Sequence, residues 1–174
     1  MIIGIGGISR GGKSFLAKEI KNTLSQKQIC ILHQDDFVLP KNQIPKIRNH
    51  IDWESPLSID FNLFYDAILE AKEKADIVIA EGLFAFYNEE INTLYSARLL
   101  VELPKHEFIK RKRRDGRWGY EEDWYIEHIW QSYLYYGKPD FDKSHSYLHI
   151  DGSQYFDTNK IITKIMSKGT VLPT

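Results

Sequence analysis

Five short apolar runs punctuate the chain, each bounded by charged or turn-forming residues. They fall at residues 1–5 (MIIGI), 28–33 (QICILH), 76–80 (DIVIA), 97–103 (ARLLVEL) and 147–150 (YLHI). Runs of this length, rich in isoleucine and valine, predict buried strands. The third is apolar without a break over 77–80, as expected of a strand covered on both faces. Between the runs the period changes to that of helices. Phe15, Leu16, Ile20 and Leu24 recur at helical spacing in the first such stretch. Ser58 is placed to cap a second helix, reaching to about residue 74, with Leu63, Phe64, Ala67, Ile68 and Ala71 on its apolar face. Further helices are predicted at 88–95, at 104–115 and at 122–136, the last rich in tryptophan and tyrosine. A final one at 158–167 has Asp157 as its cap. Strands alternating with helices imply an α/β fold with a parallel sheet covered on both faces. Right-handed crossovers then bring every strand's carboxyl end to one edge, where ligands of such sheets bind.

The first strand runs straight into a glycine-rich turn. Gly7, Ile8, Ser9, Arg10, Gly11, Gly12, Lys13 and Ser14 fit G-x-x-x-x-G-K-[ST] between a strand and a helix, the context that makes this motif a phosphate-binding loop. Glycines let backbone N–H groups close around phosphate oxygens, and the helix N-terminus adds partial positive charge. Lys13 is placed for the β- and γ-phosphates and Ser14 for Mg²⁺. Gly4-x-Gly6 also begins a dinucleotide fingerprint, but Ser9 stands where its third glycine belongs.

Other carboxylates converge on the same edge. Asp35 and Asp36 follow the second strand in Gln34-Asp35-Asp36-Phe37, and Glu81-Gly82 ends the third. An aspartate there can accept a proton from an attacking hydroxyl or hold the water shell of Mg²⁺, and Glu81 can serve the metal or a water. Residues 38–56 carry Pro40, Pro45 and Pro56 with little periodicity, and a loop this long in a small domain is commonly functional. Within it, Trp53 either stacks on a flat ring or packs the loop down, beside Glu54. The helix at 104–115 is strongly basic. Its arginines either form a solvated face or close over transferring phosphate, with Gly116-Arg117-Trp118-Gly119 as a hinged lid. Asp151-Gly152-Ser153 is a loop placed to flank an adenine.

Composition narrows the picture. With 174 residues, one domain spanning 1–174 is expected, its lid at about 111–125. The 23 Lys+Arg balance 24 Asp+Glu to a net charge of −1, which argues against a nucleic-acid partner. No apolar run approaches a membrane span, and the first is too short for a signal peptide, so a cytoplasmic protein is expected. Cys30 is the single cysteine, expected as a buried strand thiol. His145 and His149 are four apart, but the second falls in a predicted strand, so the six histidines form no zinc pattern.

GISRGGKS, QDDF, WESPLSID, a strand ending in AEG, the arginine-rich helix and the late DGS, in this order, resemble the nicotinamide riboside kinases and the related uridine kinases. The resemblance runs from residue 2 to about 167. It implies a mononucleotide-kinase fold of the P-loop NTPase class, with a five-stranded parallel sheet of order 2-3-1-4-5 and a helical lid. It also implies ATP- and Mg²⁺-dependent phosphoryl transfer to the 5′-hydroxyl of a riboside. Under it, Asp35 is the proton acceptor near the metal, Asp36 and Phe37 begin the substrate loop, and Trp53 stacks on the base. Glu54 falls where the family usually has an aspartate holding ribose hydroxyls. Glu81 matches an acidic residue at the third strand's end, and Arg111 a lid-helix arginine. The usual proline-rich lid is replaced by EEDWYIEHIW, so Lys112, Arg114 and Arg117 compete for the remaining phosphate and sugar contacts.

The expected site is therefore residues 7–14 with Arg111 and Arg114 for ATP, and Asp35, Asp36, Phe37, Trp53, Glu54, Lys112 and Arg117 for the riboside. Ser14, Asp35 and Glu81 are expected at Mg²⁺, and Asp35, Lys13 and Arg111 in catalysis. A cationic nicotinamide ring would gain cation–π attraction from Trp53 that a neutral uracil lacks. Uridine or cytidine phosphorylation is the alternative, and a non-catalytic ATP-binding module a third reading. A guanine-reading N-K-x-D motif is missing from the sequence. Monomer and homodimer both remain open.

Overall fold

The structure, a computed structural model, describes residues 1–116, 119–139 and 145–168. The apolar runs form the main sheet: β1 (Ile2–Gly7), β2 (Ile29–His33), β5 (Ile77–Glu81), β6 (Ala97–Glu102) and β7 (Leu148–Asp151). All pairings among them are parallel, in the order β2-β5-β1-β6-β7. Numbered among themselves these strands read 2-3-1-4-5, the expected order. Two further short strands, β3 (Lys46–Ile47) and β4 (His50–Ile51), pair antiparallel as a separate hairpin within the long loop.

Period-2 alternation explains how both faces are covered. Ile3, Ile5, Ile77, Ile79, Leu99 and Val101 point to one side. There they pack on α1 (Lys13–Thr23) and α6 (Thr158–Lys168) through Leu16, Ile20, Ile161 and Ile165. Ile2, Val78, Ala80 and Leu100 point to the other, against Phe64 and Ile68 of α2 (Phe61–Lys74) and Ile91 of α3 (Glu89–Leu94). Each such large apolar side chain taken from water contributes roughly 1.5–3 kcal/mol. A third cluster lies beyond the sheet. It joins Ile8 to Phe108 of α4 (Lys105–Arg113) and to Tyr125, Ile126 and Ile129 of α5 (Asp123–Ser132). This cluster fixes α4 and α5 to the phosphate loop.

Several local expectations are corrected. The cap of α2 is Asp60, whose Oδ1 accepts from the Leu63 N–H at 2.9 Å; Ser58 instead turns inward and donates to the Ser55 carbonyl at 2.7 Å. Leu63 and Phe15 lie on solvent-facing sides of their helices, so neither joins the buried stripe. Cys30 is only half-buried because β2 is an edge strand. The aromatic helix ends at Ser132 and continues as a π-helical turn, Tyr133–Gly137. Among the described residues no helix is long and apolar enough to cross a membrane.

Candidate active site

The phosphate loop is shaped by backbone that side chains would obstruct. Gly7 has φ 136°, and a Cβ there would stand 2.0 Å from the Val101 carbonyl oxygen. Gly12 has φ 103° and directly precedes α1. Left-handed backbone of this kind suits glycine. Arg10 also takes a positive φ, 62°. Lys13 folds back over the loop, its Nζ donating to the Ile8 carbonyl at 3.1 Å. Gly152, in the loop after β7, donates its N–H to the Glu102 carbonyl at 2.8 Å, and a Cβ there would stand 2.6 Å from the Gly11 carbonyl oxygen. That places Asp151-Gly152-Ser153 directly beside the phosphate loop.

The carboxylates meet the loop at the sheet's carboxyl edge, as right-handed crossovers require. Ser14 Oγ donates to Glu81 Oε1 at 2.7 Å, and His33 Nδ1 lies 2.6 Å from the same oxygen. Glu81 is buried, and in the sheet it is the register partner of His33. Asp35 follows on the 3₁₀ turn Gln34–Phe37. Its residue surface is open to solvent, yet the surrounding protein takes enough water from the carboxyl to raise its pKa. Lys13 pulls it down, while Glu81 and Asp36 push it further up. Lys13, Glu81 and Asp35 are thus within electrostatic reach of one another. Ser14, Asp35 and Glu81 offer oxygen donors, the ligand type that a hard cation such as Mg²⁺ takes. Phe37 turns away to pack on Phe64, with ring centroids 5.0 Å apart, while Asp36 stays exposed.

The long loop is held against α5 by polar and aromatic contacts that sequence reading did not find. The Arg48 guanidinium sits 4.1 Å over the Trp124 ring. His50 contacts Trp124 and stacks on Tyr125, with Nε2 3.4 Å from Glu122. His128 Nε2 lies 2.7 Å from Asp52 Oδ1, and Ser132 Oγ donates to the Glu54 carbonyl. These ties fix the segment that carries Trp53 and Glu54 against α5. Trp53 is 38% exposed.

Glu54 sits in a polar pocket with its pKa pushed up to about 7. Desolvation is the main cause; Lys112 opposes it, and Glu121, Asp35 and Asp52 add to it. Lys112 is buried and pairs with Glu121 at 2.9 Å. It is therefore directed toward Glu121 and Glu54. A carboxyl that holds its proton more tightly folded than unfolded loses stability as pH rises from its unfolded to its folded pKa. Stability is therefore expected to fall between pH ~4.5 and ~7 through Glu54, and Glu54→Gln should flatten that decline. Thermal midpoints measured across this window check it; parallel pH profiles for both proteins would assign the decline to other groups.

On the opposite side, Arg111 Nη1 donates to the Arg10 carbonyl at 3.2 Å, and Arg10 Nε lies 3.6 Å from Asp115 Oδ2. Arg111 thus stands over the phosphate loop. Arg114 lines an open groove of about 440 Å³ with His106, Ile109, Lys110 and Arg113. Arg117 lies outside the described residues, as does Trp118.

Phosphate loop, parallel sheet and lid-side helices together have the fold of P-loop kinases. A solved sugar kinase from Janibacter superposes with a TM-score of 0.61 over 99% of this chain and 95% of its own, at 16% identity. Among curated proteins, mouse nicotinamide riboside kinase 2 is 26% identical over 173 residues, covering 87% of each chain. Zebrafish uridine-cytidine kinase 2-B is 24% identical over 177 residues, covering 82% of this chain and 67% of its own. No family model matches the chain.

Proposed function

We propose that this chain is a kinase that transfers the γ-phosphoryl group of ATP to the 5′-hydroxyl of a riboside, with nicotinamide riboside as the acceptor and nicotinamide mononucleotide as the product. The observation that carries the reading is the junction of Ser14 and Glu81 at 2.7 Å, with Asp35 in electrostatic contact with Lys13 and Glu81. The similarity to nicotinamide riboside and uridine-cytidine kinases supports the acceptor class.

In this reading the backbone N–H groups of residues 7–14 cradle the ATP phosphates, and Lys13 neutralises the β- and γ-oxygens. Ser14, Asp35 and Glu81 would hold Mg²⁺ through their oxygen atoms. The bound ion supplies charge neutralisation across the transferring group. Asp35 accepts the hydroxyl proton as the acceptor oxygen bonds to phosphorus and the bond to ADP breaks. Its raised pKa makes it a stronger base than an ordinary aspartate. Arg111 stabilises phosphate charge from the lid side. Trp53 stacks on the acceptor ring, and Glu54, with Lys112, addresses the ribose hydroxyls. The carboxyl of Glu54 is one methylene longer than an aspartate's, and at neutral pH it is poised to donate as well as accept.

The half-exposed Trp53 favours the cationic nicotinamide ring through cation–π attraction, worth about 0.5–2 kcal/mol. Trp53→Ala is expected to raise the acceptor KM by ~2- to 30-fold, the factor that this energy range corresponds to, and to leave the ATP KM nearly unchanged. Steady-state kinetics with each substrate varied in turn tests this; equal rises in both KM values would return Trp53 to a packing role. Competition between nicotinamide riboside and uridine or cytidine tests the acceptor, and pyrimidine preference would replace it while leaving the phosphoryl transfer in place.

A further inference from the structure

We propose that His33 is a positioning residue for the metal–nucleotide end of the site, acting through Glu81 on Ser14. This deepens the kinase reading and rests on it. His33 is the last residue of β2 and stands opposite Glu81 in the parallel register, so the two side chains share one face at the sheet's carboxyl edge. Its Nδ1 is 2.6 Å from Glu81 Oε1, and Ser14 Oγ is 2.7 Å from the same atom. Glu81 is a carboxylate acceptor, so the His33 contact has Nδ1–H donating, and Oε1 receives two donors from two different elements.

The chemistry of a hydroxyl gives this chain of contacts its purpose. Ser14 has one proton and two lone pairs. Donating the proton to Glu81 aims the lone pairs away from the carboxylate, which is how a serine must point to meet a cation. Glu81 can impose that direction only if its own carboxylate plane is fixed. Its side chain is 6% exposed, and His33 supplies the second bond that sets the plane. His33 therefore orients Glu81, and Glu81 orients Ser14. No direct contact between His33 and substrate is involved. Outer partners of this kind typically contribute 10–100-fold to metal affinity or activity.

The test uses the full chain with His33→Leu and His33→Asn, whose side-chain N–H can occupy the Nδ1 position. ATP binding is measured by calorimetry with and without Mg²⁺, alongside the Mg²⁺ concentration giving half-maximal rate. His33→Leu is expected to weaken the Mg²⁺ dependence ~10-fold or more, with Mg²⁺-free ATP affinity and acceptor KM within ~2-fold of the parent. His33→Asn is expected to recover most of the loss. If His33→Leu does not fold, His33→Gln, whose amide lies one bond farther out, is expected to show the same loss. Two results overturn the proposal: unchanged Mg²⁺ dependence in a folded variant, or an equal loss of Mg²⁺-free ATP binding and acceptor binding, which is what a purely structural histidine gives. Failure of the kinase reading is distinguishable, because it appears in the unmutated protein as Mg²⁺-independent ATP binding without turnover.

Discussion

Asp35→Asn is expected to lower kcat by at least ~100-fold while ATP binding persists. The amide keeps the size and shape of the carboxylate, so packing on the 3₁₀ turn is preserved. What it loses is the ability to take a proton. It also loses a negative charge within reach of Lys13 and Glu81. The pH profile separates these two losses. In the parent, kcat should fall on the acid side as Asp35 takes up a proton and ceases to act as the base. In the variant that fall should vanish. Turnover within a few-fold of the parent in a folded Asp35→Asn protein would remove Asp35 from the proton-transfer role.

Lys13→Met is expected to lower kcat/KM for ATP by roughly 10²–10³-fold, the usual effect of removing one preorganised charge from a developing phosphate oxyanion. Methionine retains much of the aliphatic stem and removes the ammonium. In the structure Lys13 Nζ is held on the Ile8 carbonyl, a neutral acceptor inside the loop. It can exchange that partner for phosphate oxygens without breaking an ion pair. The positive-φ positions of the loop are Gly7, Arg10 and Gly12, so the substitution itself falls on none of them. The thermal midpoint should therefore change little, and a large fall in stability would assign Lys13 a structural role.

What was legible in the sequence is what local pattern determines. The phosphate loop is contiguous and its glycines have one physical reason to be there, so strand, loop and helix fall where the motif puts them. The main strands are legible because burial on both faces needs unbroken apolar runs. Asp35 and Glu81 are legible because strand ends in a parallel sheet share an edge. Contacts between distant segments were not legible. Lys112 and Arg111 are adjacent in a basic run, and only the packing of α4 turns one toward Glu121 and the other toward the phosphate loop. The β3–β4 hairpin has two residues per strand, too few for a pattern, and it is supported by the Arg48 and His50 contacts with α5. Ser58 looked like a helix cap because its type suits one, but the tertiary fold turns its hydroxyl inward and leaves the cap to Asp60. His33 carried a signal that went unread: it precedes QDDF at the end of β2, and the parallel register places it opposite Glu81.

The docking of the long loop on α5 bears on how the site works. The segment carrying Trp53 and Glu54, proposed to meet the acceptor, is tied to α5 by Asp52–His128 and by Ser132. Lys112 on α4 is tied to Glu121, just ahead of α5. The acceptor loop and the lid-side helices are thus linked through side chains of one polar cluster.

The most direct measurement is ADP release by the full chain with Mg²⁺ and ATP, supplied separately with nicotinamide riboside, uridine and cytidine. The account predicts turnover with nicotinamide riboside well above that with either pyrimidine riboside, and none without Mg²⁺. Protein that binds ATP yet releases no ADP with any of the three would contradict it.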